Sequence, residues 1–315
     1  MKRKTEYCGF RTTIGGQALI EGILMRGPKK QAIVCRTKDG LVEKTEELKL
    51  IRERYPILGL PFLRGVVTLF DSLYKGMTAL MYSASLVPPE EQGEPDKLDA
   101  WIERHFEGER AQKLIISVAV ALGVALSLFL FIFLPAFLVG LIPALRTNYF
   151  ARNLSEGALR IVILLVYMRL VCEVADVRRL FSYHGAEHKT IFCYEHGKPL
   201  TVENVRTESR FHPRCGTSFL LVVIVVSILV NSLVRLSNSF ARMGCHLLLL
   251  PVVVGVSYEI NRWCGRHDNM LSAALSAPGK WLQHMTTNEP DDGMIECAIR
   301  ALELVIPEEK GSDAW

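Results

Sequence analysis

The sequence predicts a mainly α protein. A four-span helical membrane bundle is preceded by a small β-containing unit and followed by a helical tail, both on the cytoplasmic side. Three observations predict it. Half of the 315 residues are apolar, and they gather into runs, with no charged residue over 114–145, 215–234 or 243–258. An uncharged run of about 18 residues or more is long enough to cross a bilayer. Ahead of these runs lie two strand-like segments around a turn, and the lysines and arginines between the runs are unevenly shared.

In chain order, residues 1–56 form the small β-containing unit. "QAIVCR" (31–36), "TKDG" (37–40) and "LVEKTEEL" (41–48) are strand, turn and strand. "GGQALIEGILMRGP" (15–28) is a third strand or a tight loop, with Glu21 its one acid. The basic N-terminus has no apolar region behind it, so no cleavable signal peptide is expected. Residues 57–113 hold an amphipathic helix, a linker and a short helix. In the first of these (57–86), Arg64, Asp71 and Lys75 share one helical face, the pattern of an interfacial helix. "PPEEQGEPD" (88–96) is a solvated linker and "KLDAWIERHF" (97–106) a short helix.

Residues 114–261 form the membrane domain. The first span is placed at Leu114–Leu134, and the chain beyond it, with Pro135 and Pro143, is expected to bend or lie along the far interface. The second, 158–177, carries Arg160, expected to snorkel, and an Arg169–Glu173 pair expected to face the bundle. Charge bias argues for this span. Without it, eleven lysines and arginines (146–217) lie outside; with it, the outer loops 146–157 and 235–242 hold two each and the inner loop 178–217 holds seven. The positive-inside rule favours the second arrangement, with both termini cytoplasmic. Residues 262–315 form the cytoplasmic tail, in which "APGKWLQHM" (277–285) has interfacial spacing and "EPDDGMIECAIRALELV" (289–305) has a helix start in its proline and acids.

The eight cysteines form no C-x-x-C pair, so reduced thiols are expected, those of Cys172 and Cys245 as small hydrophobes in apolar segments. A net charge of +4 with dispersed basic residues excludes nucleic acid as a partner. The lipid bilayer is the expected surrounding.

The chemistry concentrates in "YHGAEHKT" (183–190), where His184, Glu187 and His188 form H-x-x-E-H. On a helix, His184 and His188 share a face, which suits two ligands of one zinc ion, and Glu187 can take a proton from water. Glu195 is on the same face but about 10 Å further along the axis, too far to join them. A third ligand therefore comes from elsewhere, and His212 or Cys215 in "HPRCGTS" is the candidate. Three protein ligands leave a catalytic site open, whereas all four close a structural one. Glu259 is expected to pair with Arg262, and His267 and Asp268 to form a solvated turn.

"GGQALIEGILMRGP", "YHGAEHKTIFCYE", "HPRCGTSFL", "LLPVVVGVSYEI", "APGKWLQ" and "TTNEPDDGMIECAIRAL" together resemble the bacterial YqhQ-like family, over about Gly15 to Leu302. That family is a membrane domain of unknown function often labelled a predicted metal-dependent enzyme. The resemblance implies a bacterial inner-membrane location and metal dependence, with His184, Glu187, His188, His212 and Cys215 as site residues and Glu21 and Glu289 as outer candidates. The resulting expectation is a membrane protein with a cytoplasm-facing zinc site, a metal-dependent hydrolase acting on a lipid or membrane-protein substrate. The competing expectation is a non-catalytic scaffold or biogenesis factor for a membrane-protein partner, with a structural metal or polar clamp.

Overall fold

The computed structural model describes residues 10–48, 55–88, 109–145, 148–236, 238–267, 269–309 and 311–315. The expected linker, apart from Pro88, the short helix at 97–106 and Asp268 lie outside them. The chain is mainly helical with a four-stranded N-terminal sheet, and it divides into two compact units.

The first unit comprises residues 1–86, 168–223 and 251–315. Its sheet is an antiparallel meander in the order β1 (Gly15–Leu19), β2 (Gly22–Arg26), β3 (Lys30–Thr37) and β4 (Gly40–Glu47). The segment 15–28 holds two strands rather than one, joined through Ile20 and Glu21, with Gly16 opposite Met25. Glu21 takes a positive φ of 49°, and its carboxylate is held by Arg179 and by the Tyr183 hydroxyl. This explains why an acid interrupts an apolar run.

Strands β2 and β3 carry unbroken apolar runs because both sheet faces are covered. Ile23, Met25, Ala32 and Val34 pack under Tyr183 and Ala186 and under Met294, Cys297, Ala298, Ala301 and Leu302. Leu19, Leu24, Ile33 and Cys35 pack on the other face against Ala79 of α1 (Leu63–Ser85). The β-containing unit and the helical tail thus share one core. β4 is an edge guarded by Glu43, Lys44, Glu46 and Glu47, whose charges discourage pairing with another chain. β1 is the other edge.

Helix α1 turns small residues inward (Gly65, Gly76, Ala79, Ser83) and leaves Phe70, Leu73, Tyr74, Met77 and Met81 exposed. Its Lys75 pairs with Asp71 at 2.9 Å. Its Arg64 pairs with Glu259, which corrects the expected Glu259–Arg262 pair: α1 lies against the chain around Gly255 and Tyr258, so Arg64 reaches the acid.

The second unit comprises residues 87–167 and 224–250. Helix α2 (Glu109–Leu128) runs through a π turn at Phe129–Phe133 into α3 (Leu134–Gly140). No sharp bend intervenes at Pro135, because that residue sits in the first turn after the π turn, where its missing N–H disturbs nothing. Leu114–Gly140 is therefore one helix of 27 residues, long and apolar enough to cross a membrane. At 1.5 Å per residue it is about 40 Å long and would tilt in a hydrocarbon core of about 30 Å.

Helix α4 (Tyr149–Val171) ends six residues before the expected second span does. Its Arg160 does not snorkel. It is buried, and donates to the Phe131 carbonyl in the π turn at 2.6 Å and to Ser227 Oγ at 2.8 Å. Arg152, Glu156 and Arg242 are buried together, with Glu156 3.3 Å from Arg152 and 3.0 Å from Arg242. The Arg169–Glu173 pair is exposed, 67% and 59%, rather than turned inward. α7 (Gly216–Asn231), two helices after α5 (Ala175–Glu195) and α6 (Val202–Arg206), is apolar but has only 16 residues. α8 (Ser239–Leu248) and α9 (Leu250–Arg266) meet at 43° and amount to a second spanning element only when taken together. Among the described residues, then, length and composition give one clear membrane-capable helix.

Candidate metal centre

The expected helix through His188 is α5, which has Asp176 in its first turn and stops at His196, followed by Gly197 with φ +65°. Gly185 sits inside it, where glycine costs about 1 kcal/mol relative to alanine. A Cβ there would lie 2.0 Å from the Asn288 carbonyl oxygen, so only glycine lets this strand-like connector close on the helix. Asn288 N–H donates to the Phe181 carbonyl at 2.9 Å and its side chain to the Arg178 carbonyl at 3.0 Å. The connector joins α10 (Met270–Thr286) to α11 (Asp292–Glu303), whose N-cap is Asp291.

This close approach sets the histidines. His184 Nδ1 lies 2.8 Å from the Thr286 carbonyl and His188 Nδ1 2.6 Å from the Arg210 carbonyl. A carbonyl only accepts, so both Nδ1 atoms carry the proton, and each Nε2 of a neutral ring presents a lone pair. His184 Nε2 is 3.2 Å from Cys215 Sγ, and His188 Nε2 is buried with no partner. One donor atom from each of His184, His188 and Cys215 lies within 4.8 Å of the others. A tetrahedral zinc with ligands at 2.0–2.3 Å holds them about 3.3–3.8 Å apart, so a side-chain adjustment of about 1 Å gathers them. The set fits a zinc ion on donor chemistry, on the orphaned His188 Nε2, and on rings already oriented by second partners.

Charge follows the same grouping. Burial alone would push the His184 ring down, but the Cys215 sulfur outweighs it and holds the ring at about 9, so without metal His184 Nε2 also carries a proton, facing the sulfur, and zinc binding has to release it. Burial likewise raises the Cys215 thiol, yet His188 and His184 beside it bring it well below the ordinary thiol range. Thr217 also donates to the sulfur, its N–H and hydroxyl 3.4 and 3.3 Å away.

His212 is not brought into this group. Its ring Nε2 faces Glu195 Oε2 at 3.6 Å, and its backbone is clamped at both ends by Gln283, each bond 2.8 Å. Burial, aided by the nearby Arg214 and His188, takes the His212 ring down to about 4, so it is neutral near pH 7. Glu195 is buried, which would raise its carboxyl, but His212, Arg214 and the Thr12 N–H at 2.9 Å lower it. Of the outer candidates, Glu21 is tied to Arg179, and Glu289 is exposed and 2.8 Å from the Lys189 ammonium.

Glu187 does enter the centre. Its Oε1 accepts the Gly16 N–H at 2.9 Å, while Oε2 is buried with no partner. Burial raises its carboxyl above the usual range, against the pull of His184 and His188. All five expected site residues, His184, Glu187, His188, His212 and Cys215, line one cavity of about 420 Å³, together with Thr12 through Ala18. Sequence reasoning missed the strand as a wall of the site. The signal was the glycine pair at 15–16, since a Cβ on Gly16 would meet the Leu24 carbonyl at 2.5 Å and the Glu187 carboxyl at 3.1 Å.

The family model described as "Protein of unknown function (DUF1385)" matches residues 60–308. The chain belongs to the DUF1385 family. All five expected site residues fall inside the DUF1385 match, and Gly16 falls before its start. The chain is also 33% identical over 294 residues to "Uncharacterized protein YqhQ" of Bacillus subtilis (strain 168), covering 91% of this chain and 90% of that protein. No solved structure matches. The likeness to the YqhQ-like family therefore holds along nearly the whole chain, and it brings no activity with it.

Proposed function

We propose that this DUF1385 protein is a zinc-dependent hydrolase of the bacterial inner membrane whose site faces the cytoplasm and acts on a membrane-proximal substrate. One observation carries the metal assignment: two imidazoles, each with Nδ1 held at a backbone carbonyl, bring one donor atom each within 4.8 Å of the Cys215 sulfur and of each other. His184, His188 and Cys215 would hold the ion, leaving a fourth position open to the cavity. When bound, zinc acts as a Lewis acid that polarises a carbonyl and makes water acidic enough to react near pH 7.

The chain's own residues supply the rest. The Gly16 N–H fixes one oxygen of Glu187 and leaves the other without a partner, and that oxygen would take the proton from water in the cavity Glu187 lines. Burial, by raising that carboxyl, makes it able to give the proton on to a leaving group. The exposed apolar stripe of α1, the helix Leu114–Gly140 and the lysine and arginine bias support membrane residence with four spans and cytoplasmic termini.

The test is Glu187→Gln. It is expected to keep the zinc content of purified protein, measured by elemental analysis, and to fail to complement a deletion strain. His188→Ala is expected to lose both. Complementation by Glu187→Gln would overturn the hydrolase and leave a scaffold; wild-type protein without metal would overturn the centre itself.

A further inference from the structure

We infer that the substrate is an extended peptide, bound as an added strand along β1; its cleavage rests on the hydrolase proposed above, but its binding does not. β1 is an edge of the sheet, and Thr12 through Ala18 wall the cavity that holds His184, Glu187, His188 and Cys215. Gly16 gives its N–H to Glu187 at 2.9 Å and Ile20 gives its own to Ser83 Oγ at 3.2 Å. Backbone groups alternate sides along a strand, so Gly16 and Ala18 turn theirs away from β2, which pairs through Gly15, Gln17 and Leu19. Among the described residues, no hydrogen bond from outside the sheet reaches the Ala18 N–H, the Ala18 carbonyl or the Gly16 carbonyl. An edge with unmet backbone groups is a template for an incoming strand. Gly15 leaves open space on the same strand, with nothing within 4 Å of a Cβ placed there.

The register follows from which groups are already used. A peptide residue opposite Ala18 in antiparallel pairing exchanges both of its backbone bonds with it. The peptide residue opposite Gly16 can donate to the Gly16 carbonyl, but its own carbonyl finds the Gly16 N–H committed to Glu187. Glu187 Oε1 fills the place that carbonyl would take, so the peptide bows outward there and turns the carbonyl into the cavity that Glu187 lines with His184, His188 and Cys215. The peptide bond of that carbonyl is the one the site would cleave. Water oxygen adds to its carbon, the C–N bond breaks, and one water proton passes through Glu187 to the departing amine. One carboxylic acid and one amine result. Ile14, Leu180, Ile191 and Trp315 line the same cavity, which favours apolar side chains near the cleaved bond.

The experiment uses full-length Glu187→Gln protein in nanodiscs, which binds without cleaving, and a mixture of end-blocked random decapeptides. Bound peptides are identified by mass spectrometry, and the best is remade with a single backbone N-methyl group at each position in turn. Enrichment is expected, with methylation at one or two alternating positions weakening binding at least tenfold. Adding Ala18→Pro, which removes a donor β2 does not use, or Gly15→Val, which narrows the cleft, is expected to do the same at unchanged zinc content. Equal binding of all N-methylated peptides would overturn strand addition even if neither double variant folds. No enriched peptide from zinc-loaded protein would overturn the peptide assignment and leave the hydrolase standing, and retention of co-purified phospholipid in the cleft would then name a lipid as the substrate class. Peptide capture by wild-type protein that holds no metal would uphold strand addition and remove the hydrolase.

Discussion

Gly185→Ala should damage the metal centre without touching a ligand. The added Cβ would sit 2.0 Å from the Asn288 carbonyl oxygen, and real Cβ contacts essentially never fall under 3.0 Å, so the connector must withdraw by about 1 Å. Thr286, two residues earlier, holds His184 Nδ1 at 2.8 Å, and a shift of that size takes the pair past hydrogen-bond range. Overpacking of this kind costs about 1–3 kcal/mol, against which alanine's helix preference returns about 1 kcal/mol. Net stability should therefore change little, by roughly 0–2 kcal/mol, while loss of a second partner of a ligating histidine weakens metal binding about 10–100-fold. Chelator competition measures the affinity and a thermal melt the stability. Gly123→Ala, in a helix where nothing lies within 4 Å, is the control: it should gain about the 1 kcal/mol of helix preference and leave zinc affinity unchanged. Wild-type zinc affinity in Gly185→Ala would refute the idea that this connector orients His184.

In a chain lacking its accessible native cysteines, Leu200→Cys and Leu236→Cys should label oppositely with an impermeant reagent in intact cells, only the second from outside; labelling at 200 would overturn the topology. His212 sits at about 4 when folded, below its ordinary 6.5, so between those values the unfolded chain binds the extra proton. The stability His212 contributes is present above pH 6.5 and lost as pH falls through 4, on the order of 3 kcal/mol at most. Urea melts of chelator-treated protein should show this slope, and His212→Asn should flatten it; an unchanged slope would place the titration elsewhere. Glu156→Leu should leave Arg152 and Arg242 buried without the carboxylate between them and cost about 3–5 kcal/mol, read as a lower Tm of purified protein.

Local pattern made much of the fold legible. The hairpin expected at 31–48 is present within a residue, a helix does carry both histidines, and the tail helix expected over 289–305 runs from Asp292 to Glu303. Errors arose where partners distant in sequence decide. Arg160 looked like a snorkelling end because nothing in 158–180 hints that Phe131, twenty-nine positions earlier, offers a π-turn carbonyl. Glu259 had Arg262 three positions on, the usual helical partner, yet Arg64 takes it from 195 positions away. The apolar run 15–28 could not declare itself as two strands, since burial on both faces erases the alternation that marks a strand with one wet face.

The candidate site shows the same division. Residue types and i,i+4 spacing were enough to nominate His184, His188 and Glu187, and proximity to the next apolar run nominated His212 and Cys215. What separates those last two is not visible in "HPRCGTS". His212 has a carboxylate, Glu195, and a clamp, Gln283, already committed to it, so its ring has a structural task and Cys215 is left to face the histidines. Nor could the sequence show that each histidine would find a backbone carbonyl at Nδ1, since a carbonyl is present at every residue and marks none. A helix-interior glycine, unfavourable by helix preference alone, is the trace of that arrangement. Gly185 lets residues 286–288 lie against α5, and through that contact the Thr286 carbonyl takes Nδ1–H of His184 and leaves Nε2 facing Cys215. A break in a local rule, in a segment rich in ligand-type residues, thus marked where a distant backbone comes in to orient the site.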